Sequence, residues 1–200
     1  MTLLSPRSLV FATHISRRMS SAVNASGLQP SESKSLKERS IQPHEESIIK
    51  GIKEMYSCSP TENTFKIYTE DATFHDPVGI AKGVESIRAQ FFGLTKIFPR
   101  ADILRFRVLE NPPTVPKSTI LIDQDVSYFR DAKSSSPTKT VNSLLALKVN
   151  DAHLVTSHDE QWDHQKSSTS SDGFFGMLNE QRKKITASLT DSVVGKGPKM

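Results

Sequence analysis

Four successive stretches, residues 102–110, 118–131, 140–150 and 153–164, alternate apolar with polar side chains and are separated by short polar or proline-rich connections. A period of two is the mark of a strand with one face buried. In the first stretch Leu104, Phe106 and Val108 oppose Arg105 and Arg107; in the second Ile120, Ile122, Val126 and Tyr128 oppose Asp123, Asp125 and Ser127. Pro112, Pro113 and Pro116 make one connection, residues 131–139 a polar hairpin loop, and Asn150-Asp151 a tight turn. Three hairpins in a row demand an antiparallel sheet.

The residues before this meander read as helices. From Glu45, Ile48, Ile52, Met55 and Tyr56 fall on one face at helical spacing, and the helix ends near Cys58. Ser59-Pro60-Thr61-Glu62 is a capping box with proline at the first helical position, predicting a short second helix to about Tyr68. A strand follows in which Ala72, Phe74 and Asp76 share one face and Thr73 and His75 the other, ended by Pro77 and Gly79. Gly83 opens a third helix whose stripe Val84, Ile87, Phe91, Leu94 and Phe98 runs to Pro99. Three helices, a short strand and a long meander predict an α+β fold, a cone in which a curved, mainly antiparallel sheet wraps the helices and leaves a cavity at its open end.

Two hundred residues suit one domain with tails. Residues 1–44 read as a disordered N-terminal segment, 45–164 as the domain, and 165–200 as an extension with an amphipathic helix. That helix carries Phe174, Met177, Leu178, Gln181, Ile185 and Leu189 beside the basic run Arg182-Lys183-Lys184. Docking on the domain is the simplest role for it, ahead of lying on an anionic membrane. Residues 1–31 hold Arg7, Arg17 and Arg18, many serines and threonines and no acid, the composition of a mitochondrial presequence. The expectation is a mitochondrial matrix protein, or a cytoplasmic one if translation starts at Met19. Residues 24–44, polar and serine-rich with two prolines, read as a linker. The net charge of +4 comes from the ends, +3 in residues 1–31 and +3 in 165–200, which leaves −2 for the middle. A core of that sign speaks against nucleic acid as partner. The single cysteine, Cys58, excludes an internal disulfide and lacks basic neighbours that would activate it.

The block Y-T-E-D-A-T-F-H-D-P-V-G at residues 68–79, the K-G that opens the third helix, the F-F within it and the element order resemble the nuclear-transport-factor-2-like (NTF2-like) superfamily, and within it the SnoaL-like and ketosteroid-isomerase-like proteins. The resemblance covers about residues 45–164. It implies that Asp76 stands where the steroid isomerases keep a general base, that the oxyanion-hole Asp position is Leu145, and that the oxyanion Tyr position falls near Ile52, with Tyr56 one turn away. A leucine donates no hydrogen bond, and one such donor is typically worth about a hundred- to a thousandfold in rate. Steroid isomerase activity is therefore not expected. Trp162 matches a cavity-lining tryptophan of the family.

On the last strand His158, Glu160 and Trp162 alternate onto one side, so Asp76, His158 and Glu160 form a candidate acid–base set. Tyr56, Phe74, Phe92, Leu145 and Trp162 are the candidate pocket residues. His153, His158 and His164 with Asp159 and Asp163 lack a compact ligand spacing, so neither metal nor cofactor is expected. Two functions stay open. One is a non-catalytic module binding a small apolar ligand, homodimeric through the exposed sheet face. The other is a lyase, isomerase or cyclase using Asp76 as base.

Overall fold

A computed structural model describes residues 23–166 and 173–194, with the side chains of the last helix as far as Ile185. The presequence reading, apart from its last residues, and Leu189's place on the helical stripe lie outside the described residues. Helices α1 (Pro30–Lys34), α2 (Glu46–Tyr56), α3 (Val84–Ile97) and α4 (Gly173–Val194) accompany strands β1 (Tyr68–Asp76), β2 (Gly79–Lys82), β3 (Arg100–Leu109), β4 (Thr119–Phe129), β5 (Lys139–Val149) and β6 (Val155–Trp162). The strands form one sheet in the order β2-β1-β6-β5-β4-β3. Only β1 and β6 run parallel.

The inner face of the sheet holds the core. Ile48, Ile52, Met55 and Tyr56 of α2 and Ile87 and Phe91 of α3 pack with Phe74, Ile122, Val126, Leu145 and Leu147 from the strands. Helix α2 ends because the Ser59 N–H bonds back to the Glu54 carbonyl, 3.0 Å, and Cys58 turns into the left-handed region at φ 55°. With Ser59 used there, the second helix begins later than its sequence signal suggests. It is a 3-10 helix, Glu62–Ile67, whose N-cap is Thr61, with the Thr61 N–H on Thr64 Oγ1 at 2.8 Å. Strand β2 escapes sequence pattern because only Ala81 of its four residues is buried.

Two alternation readings fail locally. A bulge between Ile103 and Arg105 pushes Leu104 to 64% exposure, while Val108 keeps its inward place. Asp163 and His164 both take positive φ, 53° and 59°, and this turn sends His164 to the outer face instead of the side shared by His158 and Trp162.

The segment 24–44 is not a free linker, and this corrects the disordered reading of residues 23–44. It lies against the outer face of the sheet: Ala25 and Leu36 pack on Leu109, Val115, Leu121, Leu144 and Ala146. The Arg39 N–H bonds to the Val108 carbonyl and the Glu110 N–H to the Lys37 carbonyl, both 2.8 Å, so the segment also covers the β3 edge. Beneath it runs a buried polar chain. Asn24 Nδ2 donates to Ser33 Oγ at 2.7 Å, Ser33 Oγ lies 2.7 Å from His164 Nδ1, and His164 Nε2 lies 3.1 Å from Asp123 Oδ1. Asp123 also takes hydrogen bonds from Arg107, Arg105 and Asn142. Arg107 thus pairs with Asp123, and Arg105, though exposed, pairs with Asp123 and Asp125. The sheet face through which pairing of two chains was expected is occupied, over this patch, by the chain's own N-terminal segment.

Candidate functional site

The open end of the cone is closed by α4. The cavity between them is lined at its rim by Leu94, Ile97, Val78, Phe174, Leu178 and Ile185, and deeper down by Tyr56, Phe74, Phe91, Tyr128, Val141 and Trp162. Its polar members are Asp76, Gln90, Glu160, Gln181 and Arg182. About 60 Å³ is open to the centre of a water-sized sphere, room for a few water-sized molecules. A larger guest requires α4 to move.

Helix α4 sits where glycines make room for it. A Cβ on Gly93, in the middle of α3, would lie 2.6 Å from Ile185 Cδ1, and one on Gly79 would lie 2.8 Å from Arg182 Cζ. Glycine inside a helix costs about 1 kcal/mol relative to alanine, so close helix approach gives Gly93 its reason. Phe174 anchors the start of α4, its ring 5.5–5.8 Å from the rings of Phe98, Tyr128 and Trp162. Gly93→Val is expected to unseat α4 while leaving the sheet intact. Limited trypsin digestion should cut at Arg182 and Lys183 many times faster in the variant; an unchanged cutting rate would show that the helix is not held by this contact.

Asp76 reaches the cavity because β1 places it on the face of Ala72 and Phe74, while exposed His75 points away and lies 3.2 Å from Asp159. The turn after β1 folds back on it: Asp76 Oδ1 accepts the N–H groups of Val78, 3.0 Å, and Gly79, 2.8 Å, and Gln90 Nε2 donates to Oδ2 at 3.1 Å. Arg182 Nη1 of α4 stands 3.4 Å from Oδ1. Burial raises the Asp76 pKa above the ordinary carboxylate value, against the opposing pull of the Gly79 amide, Arg182 and the Val78 amide.

Glu160 is the second carboxyl. Its Oε1 accepts Ser143 Oγ at 2.7 Å and Trp162 Nε1 at 3.0 Å, and its Oε2 accepts Tyr56 Oη at 2.7 Å. Burial, and then the charge of Asp76, push its pKa up to about 7, although those three donors favour the carboxylate. Behind it, His158 is fully buried, with Nε2 3.3 Å from Tyr56 Oη and Nδ1 2.7 Å from Tyr68 Oη. Burial lowers His158 to about 3, so the imidazole is neutral at physiological pH. Tyr56 gives its proton to ionised Glu160, so its oxygen accepts from Nε2–H and Nδ1 accepts from Tyr68. The result is a directed chain from Tyr68 through His158 and Tyr56 to Glu160.

Of the residues singled out from the sequence, Asp76, Glu160, Tyr56, Phe74 and Trp162 line the cavity. His158 does not: it is packed behind the wall, against Phe74 at 4.8 Å between ring centres. Leu145 is fully buried in the core as the cross-strand partner of Glu160, and Phe92 turns to Phe65 at 5.6 Å, so neither lines the cavity. Sequence reasoning missed Gln90, Ser143, Tyr128, Phe174 and Arg182. Arg182 stood in a basic run that reads as surface charge; Ser143 and Gln90 carry no local signal, since only strand pairing and helix docking bring them to the carboxyls. Cys58 is partly buried and its thiol is pushed up to about 12 by burial, which makes it a poor nucleophile. Among the described residues no cluster of three or more His, Cys, Asp or Glu side chains is placed to hold a metal, and no helix is long and apolar enough to cross a membrane.

The chain folds as an α+β cone, a six-stranded, mainly antiparallel sheet with α2 and α3 on its inner face and a two-carboxyl cavity at its open end. Among solved structures it is similar to a steroid delta-isomerase from Pseudomonas aeruginosa, with a TM-score of 0.50, 8% identity, and 75% of this chain and 96% of that one covered. It is similar to the same degree to an uncharacterised bacterial protein with a cystatin-like fold from Silicibacter pomeroyi, TM-score 0.50, 11% identity, covering 78% and 94%. An NTF2-like protein of unknown function from Cytophaga hutchinsonii aligns with a TM-score of 0.45 and 13% identity over 62% of this chain and 93% of that one. No protein-family model and no curated protein matches the sequence.

Proposed function

We propose that the chain is a small-molecule binding module whose ligand lies with an apolar body among the aromatic side chains of the cavity and a polar end at Asp76 and Glu160. The observation that carries this reading is the pairing of a mainly apolar, largely closed cavity with two convergent carboxyl groups, the usual anatomy of a ligand pocket. Trp162 is the only tryptophan of the chain and lines the cavity, so it reports occupancy directly. Titration with benzyl alcohol is expected to give a saturable change in tryptophan fluorescence, larger at a given concentration in Gly93→Val. A strictly linear response in both proteins sinks the binding reading.

A second reading is acid–base catalysis of the isomerase, dehydratase or cyclase type. It is supported by Asp76 and Glu160 titrating above ordinary carboxylates, which suits one as base and the other as proton donor near neutral pH. Leu145 supplies no oxyanion acid, but its cross-strand neighbour Glu160, held by Tyr56, offers a carboxylic acid when protonated. Deuterium uptake from solvent at the carbon beside the carbonyl of 3-cyclohexenone tests this. Catalysis predicts uptake at least a hundredfold above that of Asp76→Asn, by the usual worth of a general base. Equal rates refute it.

A further inference from the structure

The position of Arg182 identifies a ligand class. Asp76 is held in place by the turn that follows it, through two backbone amides at 2.8 and 3.0 Å, independently of α4. The guanidinium is different. It arrives on a helix that closes the cavity, it rests over the bare face of Gly79, and its contact with Asp76 is 3.4 Å, long for a charge-assisted pair. Phe74, Phe91 and Trp162 line the same cavity. When α4 swings out to admit a ligand, Asp76 stays behind without this positive partner, and a guest that covers the carboxylate buries its charge uncompensated, which is costly. A neutral guest leaves that cost standing, and an anionic guest adds to it. A guest with its own ammonium group removes it, and the aromatic walls suit a cation as well as an apolar body.

We propose that the cavity takes an organic amine, its ammonium group on Asp76 facing Glu160 and its apolar part among the aromatic rings, and that Arg182 holds this cation subsite in the closed state as an internal stand-in for the ligand. Helix α4 is then an autoinhibitory plug. The inference rests on the cavity being a binding site and adds to it the charge of the ligand and the means of closure.

Three probes of matched size and different charge separate the two statements: benzylamine, benzyl alcohol and benzoate, titrated calorimetrically at pH 7 into the full chain, into Arg182→Gln and into Asp76→Asn. The amine is expected to bind the wild-type chain more tightly than the alcohol, and benzoate most weakly. In Arg182→Gln the preference for amine over alcohol widens about tenfold, the coupling typical of a close charge pair. In Asp76→Asn it shrinks to near one. If the amine and the alcohol bind with equal affinity, and the ratio is the same in wild type and Arg182→Gln, the cation subsite is wrong while the cavity stands. If no probe binds any of the proteins, the cavity reading fails and the inference with it. Arg182 is on the lid and outside the core, so its variant tests the proposal even if Asp76→Asn proves unstable.

Discussion

Asp123→Ala is expected to lower the stability of the domain by about 3–5 kcal/mol, the usual cost of removing one partner from a buried ionic network. The side chain is fully buried and takes hydrogen bonds from Arg107, Asn142 and His164. Truncation strands these donors and unties the N-terminal segment, because His164 is the link to Ser33. Burial alone would raise the Asp123 pKa, but the hydrogen bonds from His164, Arg107 and Asn142 outweigh it and hold the carboxyl well below the ordinary range. A depressed carboxylate contributes stability that is full above its unfolded pKa of about 3.9 and is lost as pH falls through the folded value. Urea unfolding at pH 6 should show the full loss, and the gap between wild type and variant should close as pH falls below about 4. A loss under 1 kcal/mol at pH 6 would mean that the network contributes little beyond its own desolvation.

Glu160→Gln is expected to act in the opposite pH range. Its folded pKa of about 7 lies above the ordinary value of 4.5, so between those limits the folded state binds the extra proton and is stabilised as pH falls. Above pH 7 the fold carries a buried carboxylate at a cost on the order of 3 kcal/mol, from about 1.4 kcal/mol per pKa unit. Asp76 is shifted in the same direction and interacts with Glu160, so the observed titration belongs to the pair. Wild-type protein should therefore lose stability from pH 5 to pH 8, and Glu160→Gln should lose much less. Glutamine keeps an oxygen for Tyr56, Ser143 or Trp162, so its fold should survive. Identical pH profiles for the two proteins would refute the buried, perturbed carboxyl. Together with Asp123, this places the stability maximum near pH 5.

What could be read from the sequence was what local pattern encodes. Alternation exposed five of the six strands, all but β2, and the inward set Ile120, Ile122, Val126 and Tyr128. Helical spacing gave the buried faces of α2 and α3, and Asp76 was legible because parity with Ala72 and Phe74 forces it inward. The reading failed where one residue changes parity without leaving a mark: the bulge at Leu104 and the left-handed pair Asp163-His164. It failed again at residues 24–44, whose serines and asparagine look like linker composition. Asn24 and Ser33 are buried because the outer face of the sheet offers them a partner, His164, more than a hundred residues away.

The sequence by itself determined the α+β class, the run of the meander and the presence of a carboxyl on the inner face of the first strand, since backbone periodicity acts within a few residues of chain. The tertiary structure decided everything that depends on distant segments meeting. It set Glu160 beside Asp76 through the parallel pairing of β1 with β6, moved His158 behind the wall between Tyr56 and Tyr68, and seated α4 over the cavity at Gly79 and Gly93. A basic run that any surface helix could carry thereby became a guanidinium at the mouth of a two-carboxyl pocket. Burial is what gives that meeting its chemistry: the same Asp, Glu and Arg in water would be ordinary charges, and only the closed cone makes their protonation and pairing interdependent.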